Sequence, residues 1–380
     1  MKFDYNFKNY DFLLVFYMVL LNVLGVMIIR SAVSAADYKD PQVVRQIIGS
    51  FAGLAICIGL SLVDYRQIVK QSSFIYFLSV LMLLGVKIYG TASGHGAVRW
   101  IQIPVLGQVQ PAEFVKIGLI IFYAAYFQKV KNQINTPHVV ITAFAFYLVP
   151  ISLILLQPNL STAIIMTVII AAIVFASDIS YKWIFGVVFA IVPFAVIFIY
   201  LFKSGLYDHI PFLQGYQADR ILTFLNPTDN TQTFYQQLYS IMAIGSGQFA
   251  GKGLNNDSIF SVKNGNFLAE EDNDFIFAVI GEELGFRGSI IIVIIFLLII
   301  LECLIIASKA KKLSGRLICV GMMAWIGFQT YTNIAVATGI FPNTGITLPF
   351  FSRGVSSLVS VYIGMGLVLN VALQRKDSVI

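Results

Sequence analysis

DFIFAVIGEELGFRGSIIIVIIFLLIILECLIIA, residues 274–307, is the stretch on which the fold class turns. It is apolar enough and long enough to cross a hydrocarbon core. As one straight helix of 34 residues it would run about 51 Å at 1.5 Å per residue, well beyond a core of roughly 30 Å. Its first turns, which carry Asp274, Glu282, Glu283 and Arg287, are therefore expected outside the core or inside a protein-lined cavity.

Outward from this block, nine more of similar character follow from the same reading: 11–31, 44–63, 73–90, 111–128, 138–156, 160–177, 182–203, 316–340 and 352–373. The chain is 58% hydrophobic and only 12% charged, which excludes an ordinary soluble domain. The expectation is an all-α integral membrane protein, a polytopic bundle of about ten transmembrane helices forming one domain over 1–380. The first run lacks a small-residue cleavage signature and is read as the first span.

Charge sets the orientation. With a cytoplasmic N-terminus, the inner loops hold Lys2, Lys8, Arg66, Lys70, Lys129, Lys131, Lys182, Lys309, Lys311, Lys312, Arg316, Arg375 and Lys376, while the short outer loops hold little beyond Lys39 and Arg99. That asymmetry satisfies the positive-inside rule and puts both termini in the cytoplasm. The net charge of +6 thus follows topology and not a nucleic-acid surface. Cys57, Cys303 and Cys319 fall within apolar spans and read as small hydrophobes. His95, His138 and His209 are scattered, without metal-ligand spacing.

One long connection, 204–273, lies on the outer face, with seven acids, several turn signals and apolar stretches such as Gln237–Ile244 that suit short helices. A second outer loop, 91–110, carries Arg99 and Trp100. GSGQFAGKGL at 245–254 is not a nucleotide phosphate loop, because Lys252 is followed by glycine and the loop faces outward. It reads as a flexible turn or as backbone amides for a lipid-linked pyrophosphate. Glu113 and Lys116 sit three apart at the start of the fourth span, behind Pro111. They form either a structural pair or a cation held at the membrane surface to meet phosphate. Glu283 and Arg287 have i,i+4 spacing, and Glu282, Glu283 and Arg287 suit a packing or gating ion pair. Asn273 reads as a helix cap with Asp274 in the first turn. Asp274 is then a favourable N-terminal acid or, crowded by Glu270, Glu271 and Asp272, a general base.

NDFIFAVIGEELG at 273–285 resembles the signature of the SEDS family, the RodA/FtsW bacterial cell-wall polymerases. Similar blocks recur in order: Gly96 to Trp100, Gln110 to Glu113 with Lys116, Gln157 to Leu160, Ser240 to Gly253, Asn333, and Pro342 to Gly345 leading into Leu348 to Ser352. The resemblance implies polymerisation of lipid II into glycan strands at the outer face of the bacterial cytoplasmic membrane, by inverting transfer with undecaprenyl pyrophosphate leaving. It maps the essential carboxylate to Asp274 and substrate contacts to Arg99, Gln110, Glu113, Lys116, Gln157, Lys252, Glu270 and Ser352. If a divalent cation (Mg2+ or Mn2+) takes part, Asp274 and Glu270 are its expected ligands. A class B penicillin-binding transpeptidase is the implied partner. AIGSG with GKG, and the short N-terminus, look more like the elongation polymerase than the division polymerase. Departures stand at Ala112, Asn159, Ala269, Asn273 and Arg353-Gly354-Val355, where the family usually has Ser, Asp, Pro, Thr or Ser, and Tyr-Gly-Gly. The competing readings are a lipid II flippase or transporter, and a non-catalytic scaffold for a transpeptidase.

Overall fold

The computed structural model describes residues 5–34, 41–93, 97–103, 107–206, 215–225, 231–255, 261 and 272–375. In chain order the helices are α1 (Phe12–Ser34), α2 (Pro41–Ser61), α3 (Tyr65–Lys70), α4 (Ser72–Tyr89), α5 (Pro111–Lys129), α6 (Pro137–Leu156) and α7 (Leu160–Phe175). They continue with α8 (Tyr181–Lys203), α9 (Gly215–Leu225), α10 (Thr231–Ser246), α11 (Ile276–Lys309), α12 (Leu313–Ala337) and α13 (Val355–Leu373). Ten of these fall on the ten apolar blocks. Seven are long and apolar enough by themselves to cross a membrane, and α7 is a shorter apolar helix. The other two, α5 and α12, carry polar side chains that they bury against each other.

Local chemistry explains the starts. Proline at the first position opens α5 and α6, where a missing N–H costs nothing. Asp64 caps α3 by accepting from the Arg66 N–H at 2.9 Å, and Asn159 caps α7 by accepting from the Thr162 N–H at 3.3 Å. The core runs along α12 and α13, with Trp325, Tyr362 and Leu317 fully buried. α13 packs on α2, α11 on α12, and α4 on α5. The perimeter is the reverse: Phe189 and Phe194 of α8 are 80% and 74% exposed, as a lipid-facing helix requires.

Two elements depart from a plain bundle. The described residues of the 91–110 loop form three antiparallel strands, β1 (Thr91–Ser93), β2 (Ala97–Ile103) and β3 (Gly107–Val109), in the order β1-β2-β3. β2 carries Arg99 and Trp100. The second is a break in α11 at Gly285, whose φ of 64° and ψ of −165° belong to glycine alone. Ile276 to Glu283, before the break, are buried by protein, whereas Phe286 just after it is 59% exposed. The excess length of this segment is thereby resolved: a protein-enclosed short helix leads into a separate span.

Breaking a helix inside a membrane frees backbone groups that hydrocarbon will not satisfy, at several kcal/mol each. The 248–253 loop takes them up. Lys252 and Gly253 N–H donate to the Glu282 and Glu283 carbonyls at 3.0 and 2.9 Å, and the Gln248 and Phe249 carbonyls accept from the Phe286 and Arg287 N–H at 2.9 and 3.2 Å. GSGQFAGKGL is thus packed against α11 and is not a flexible turn, and its Lys252 and Gly253 amides are spent there instead of standing open to a pyrophosphate.

The same break corrects the expected Glu283–Arg287 pair, because a helical i,i+4 relation does not cross Gly285. Glu283 Oε1 accepts from the Ser31 hydroxyl, Glu282 pairs with Lys252 at 2.5 Å, and Arg287 lies 5.4 Å from the centroid of the Phe249 ring.

Candidate active site

Asp274 sits in the turn that precedes α11, not in its first helical turn as expected. The helix starts at Ile276 and its cap residue is Phe275, so Asn273 does not cap it. What holds the turn is the segment 342–354. Asn333 Nδ2 of α12 donates to the Asp274 carbonyl at 2.8 Å and to the Ile346 carbonyl at 2.7 Å, riveting the two together. Ser352 Oγ donates to the Asn273 carbonyl at 2.6 Å while accepting from the Leu348 N–H at 2.7 Å. Arg353 adds a backbone bond to the Asp272 carbonyl at 2.9 Å, an ion pair with Asp272 Oδ2 at 2.6 Å and a bond to Gln42 Oε1 at 2.8 Å.

The carboxylate itself is half-buried and has nearby a cation absent from the sequence-based reading. A Cβ placed on Gly345 would stand 3.3 Å from Asp274 Oδ2 and 3.5 Å from Arg220 Nη1, so both charged groups share one small space. Gly345 keeps that space open, and its φ of 70° suits glycine. Arg220 rides on α9, inside the long outer connection. One turn earlier on α9, Gln217 donates to the Pro158 carbonyl at 3.3 Å, and Arg99 of β2 donates to the same carbonyl and to that of Gln157 at 3.4 Å. Ser161 Oγ bonds the Thr344 carbonyl. Four separated pieces, β2, the 157–161 turn, α9 and segment 342–354, thus converge beside Asp274.

The remaining expected contacts lie deeper or are otherwise engaged. Lys116 was read as a cation at the membrane surface or a structural pair; the structure places it 1% exposed. Its Nζ reaches Glu113 Oε1 at 2.8 Å and Gln329 Oε1 at 3.3 Å, and stands 4.4 Å from the Trp325 ring centroid. Gln329 in turn donates to the Thr347 carbonyl at 2.9 Å. The surface reading fails because α5 enters the bundle already buried at Pro111, Ala112 and Glu113. Gln157 donates to the Leu83 carbonyl at 2.9 Å, the Gln110 N–H reaches Ser356 Oγ at 3.3 Å, and Lys252 is held by Glu282. Glu270, Glu271 and Ala269 lie outside the described residues.

Trp325, Gln329 and Asn333 recur every four residues and so line one face of α12, linking Lys116 to the Asp274 turn. Of the three, only Asn333 stands out in the sequence, as part of a family block; the four-residue spacing of Trp325, Gln329 and Asn333 is the signal that ties them together. Among the described residues no three His, Cys, Asp or Glu side chains gather in a metal-binding group, and Asp272 spends its carboxylate on Arg353. Of the two expected cation ligands, Asp274 is described and Glu270 lies outside the described residues.

Fold and site together define a polytopic helical membrane protein with a carboxylate and a guanidinium meeting at one end of the bundle. A family model described as cell cycle protein, FTSW_RODA_SPOVE, matches residues 12–377, and the chain belongs to that family. A relative from Geobacter metallireducens, named probable peptidoglycan glycosyltransferase FtsW, is 32% identical over 98% of this chain and 96% of its own. The Escherichia coli K12 peptidoglycan glycosyltransferase MrdB is 29% identical over 94% and 93%. Among solved structures, the Thermus thermophilus rod shape determining protein RodA is similar with a TM-score of 0.67 at 26% identity, covering 97% of this chain and 98% of that one. A chain from a structure described as structural coordination of polymerization and crosslinking by a peptidoglycan synthase complex gives 0.76 at 27% identity, covering 96% and 97%.

Proposed function

We propose that this chain is a peptidoglycan glycosyltransferase that joins lipid II units into glycan strands at the outer face of the bacterial cytoplasmic membrane, with both termini in the cytoplasm. The observation that carries this reading is the half-buried Asp274 carboxylate sharing the space over Gly345 with Arg220. In the transfer, the acceptor's sugar hydroxyl attacks the anomeric carbon of the donor and gives its proton to Asp274, while the bond to the pyrophosphate breaks. Undecaprenyl pyrophosphate departs as a stable anion and needs no acid to protonate it, unlike the alcohol released in glycoside hydrolysis. Its charge calls for cations, and Arg220 with Arg99 supplies them from two elements tied to the Pro158 carbonyl. A divalent cation shared by Asp274 and Glu270 is part of the proposal, as is a class B penicillin-binding transpeptidase as partner. Relatives on the division and elongation branches are nearly equally identical, 32% and 29%, so the elongation role rests on the AIGSG and GKG motifs.

The transport reading rests on Glu302 and the Glu282–Arg287 cluster. Of these, Glu282 and Glu283 lie at the α11 break, held by Lys252 and Ser31, and Glu302 stands half-buried further along α11. The deciding experiment gives the purified protein lipid II, Mg2+ or Mn2+ and its partner, and runs the product on a gel. Glycan polymer is expected. Lipid II crossing a vesicle bilayer without polymer would overturn the proposal in favour of transport, and partner binding with neither product would leave a scaffold.

Arg353, which replaces the family's usual tyrosine, acts as a positioning residue for the turn that carries Asp274. Arg353→Ala is expected to lower kcat about 10- to 100-fold through small displacement of the base, with KM little changed. Arg353→Lys, which keeps the charge, should recover part of the loss. A KM effect without a kcat effect would assign Arg353 to substrate binding instead.

A further inference from the structure

At the end of the bundle opposite Asp274, the α11–α12 connection borders a cavity of about 240 Å³. Lys131, Lys311, Lys312 and Arg316 line it against a single carboxylate, Asp178, which pairs with Arg316 at 2.6 Å. The 25-residue α12 starts here, and its cap residue is Lys312, with no side-chain cap bond and no acid in the first turn. A lysine at the positive end of a helix dipole is unfavourable, since acids normally sit there. Arg316 Nε is buried with no hydrogen-bond partner among the described residues. The positive-inside rule asks only that basic residues be numerous on one side. It does not require four of them, Lys131 after α5, Lys311 and Lys312 between α11 and α12, and Arg316 in the first turn of α12, to surround one hollow.

The excess positive charge calls for an oxyanion, and the cavity wall says where it comes from. Ala307 and Ser308, the last turn of α11, form part of the lining. From there Leu304, Leu301, Leu297 and Ile294 run back along α11 at helical spacing, 41% to 51% exposed, as one apolar stripe. A free anion has no use for such a stripe, whereas an acyl chain does. The hollow is also smaller than the roughly 300–1,000 Å³ of drug-sized ligand pockets, which suits a headgroup.

We propose that this cavity binds the phosphodiester headgroup of an anionic membrane lipid, with an acyl chain lying along the Ile294–Leu304 stripe of α11. Lys131, Lys311 and Lys312 supply charge, and Arg316, already oriented by Asp178, supplies a planar donor set. The site is independent of the glycosyl-transfer reading and lies far from Asp274 along α11.

Native mass spectrometry of the detergent-solubilised full chain, titrated with phosphatidylglycerol or phosphatidylcholine, tests the proposal. Wild type should retain phosphatidylglycerol selectively. The triple variant Lys131→Gln, Lys311→Gln, Lys312→Gln, which leaves the Arg316–Asp178 pair intact, should bind it roughly 100-fold more weakly, at about fivefold per lysine. A control triple, Lys8→Gln, Lys70→Gln, Lys182→Gln, removes as much charge from exposed positions outside the cavity lining and should bind as wild type. Equal loss in both triples, or no selectivity in wild type, overturns the site. Displacement of the lipid by an equal concentration of inorganic phosphate would reassign it to a free anion.

Discussion

Asp274→Ala is expected to reduce glycan polymer below detection while the protein still inserts, folds and binds its partner. The side chain is half-buried, and the contacts shown to hold its turn come from other groups: the Asp274 and Asn273 carbonyls to Asn333 and Ser352, and Asp272 to Arg353. Removing the carboxylate therefore leaves the clamp standing and isolates the chemistry. A general base contributes about 10²–10⁴-fold, and its loss also leaves the Arg220 guanidinium without the carboxylate beside it. Asp274→Asn, with the same shape but no basicity, should fail equally, which separates proton removal from packing. An Asp274→Asn variant that polymerises at the wild-type rate would end the assignment of this group as base.

The all-α polytopic plan, with a helix on each of the ten apolar blocks, was legible because those blocks are long and continuous, and backbone satisfaction in hydrocarbon leaves few alternatives. The excess length of 274–307 implied a start either outside the core or inside a protein-lined cavity, and the buried Ile276 to Glu283 fit the second. It did not locate the break, because any of Gly281, Gly285 and Gly288 suits one; only the packed 248–253 loop selects Gly285. The site was half legible. Asp274 stood out through its neighbours and its family block, but Arg220 could not, since nothing local ties a residue of α9 to Gly345 more than a hundred positions later. For Lys116 and Glu113 the spacing was read correctly and the depth was not. A period-three pair looks the same at a wet rim and in a dry interior. The difference lies in what α12 and α13 pack against it.

That depth makes Glu113→Gln the second large effect. Lys116 holds its ammonium between Glu113 Oε1 at 2.8 Å, Gln329 Oε1 at 3.3 Å and the Trp325 ring, with 1% of the residue exposed. Replacing the carboxylate by an amide leaves a buried charge with only neutral acceptors, a change that costs about 3–5 kcal/mol. For a chain of this length that is a fall in melting temperature of about 5 °C, read by thermal unfolding in detergent. Removing both charges together, Glu113→Gln with Lys116→Met, should recover most of the stability, since a well-packed apolar residue often replaces a buried pair at little cost. The double variant nonetheless cuts the bond from Lys116 to Gln329, which supports the Thr347 segment and, through Ile346 and Asn333, the Asp274 turn. Polymerisation should therefore stay depressed after stability returns. If activity instead returns with the melting temperature, the pair only holds the helices together; if Glu113→Gln melts as wild type does, Lys116 is not the enclosed charge described above.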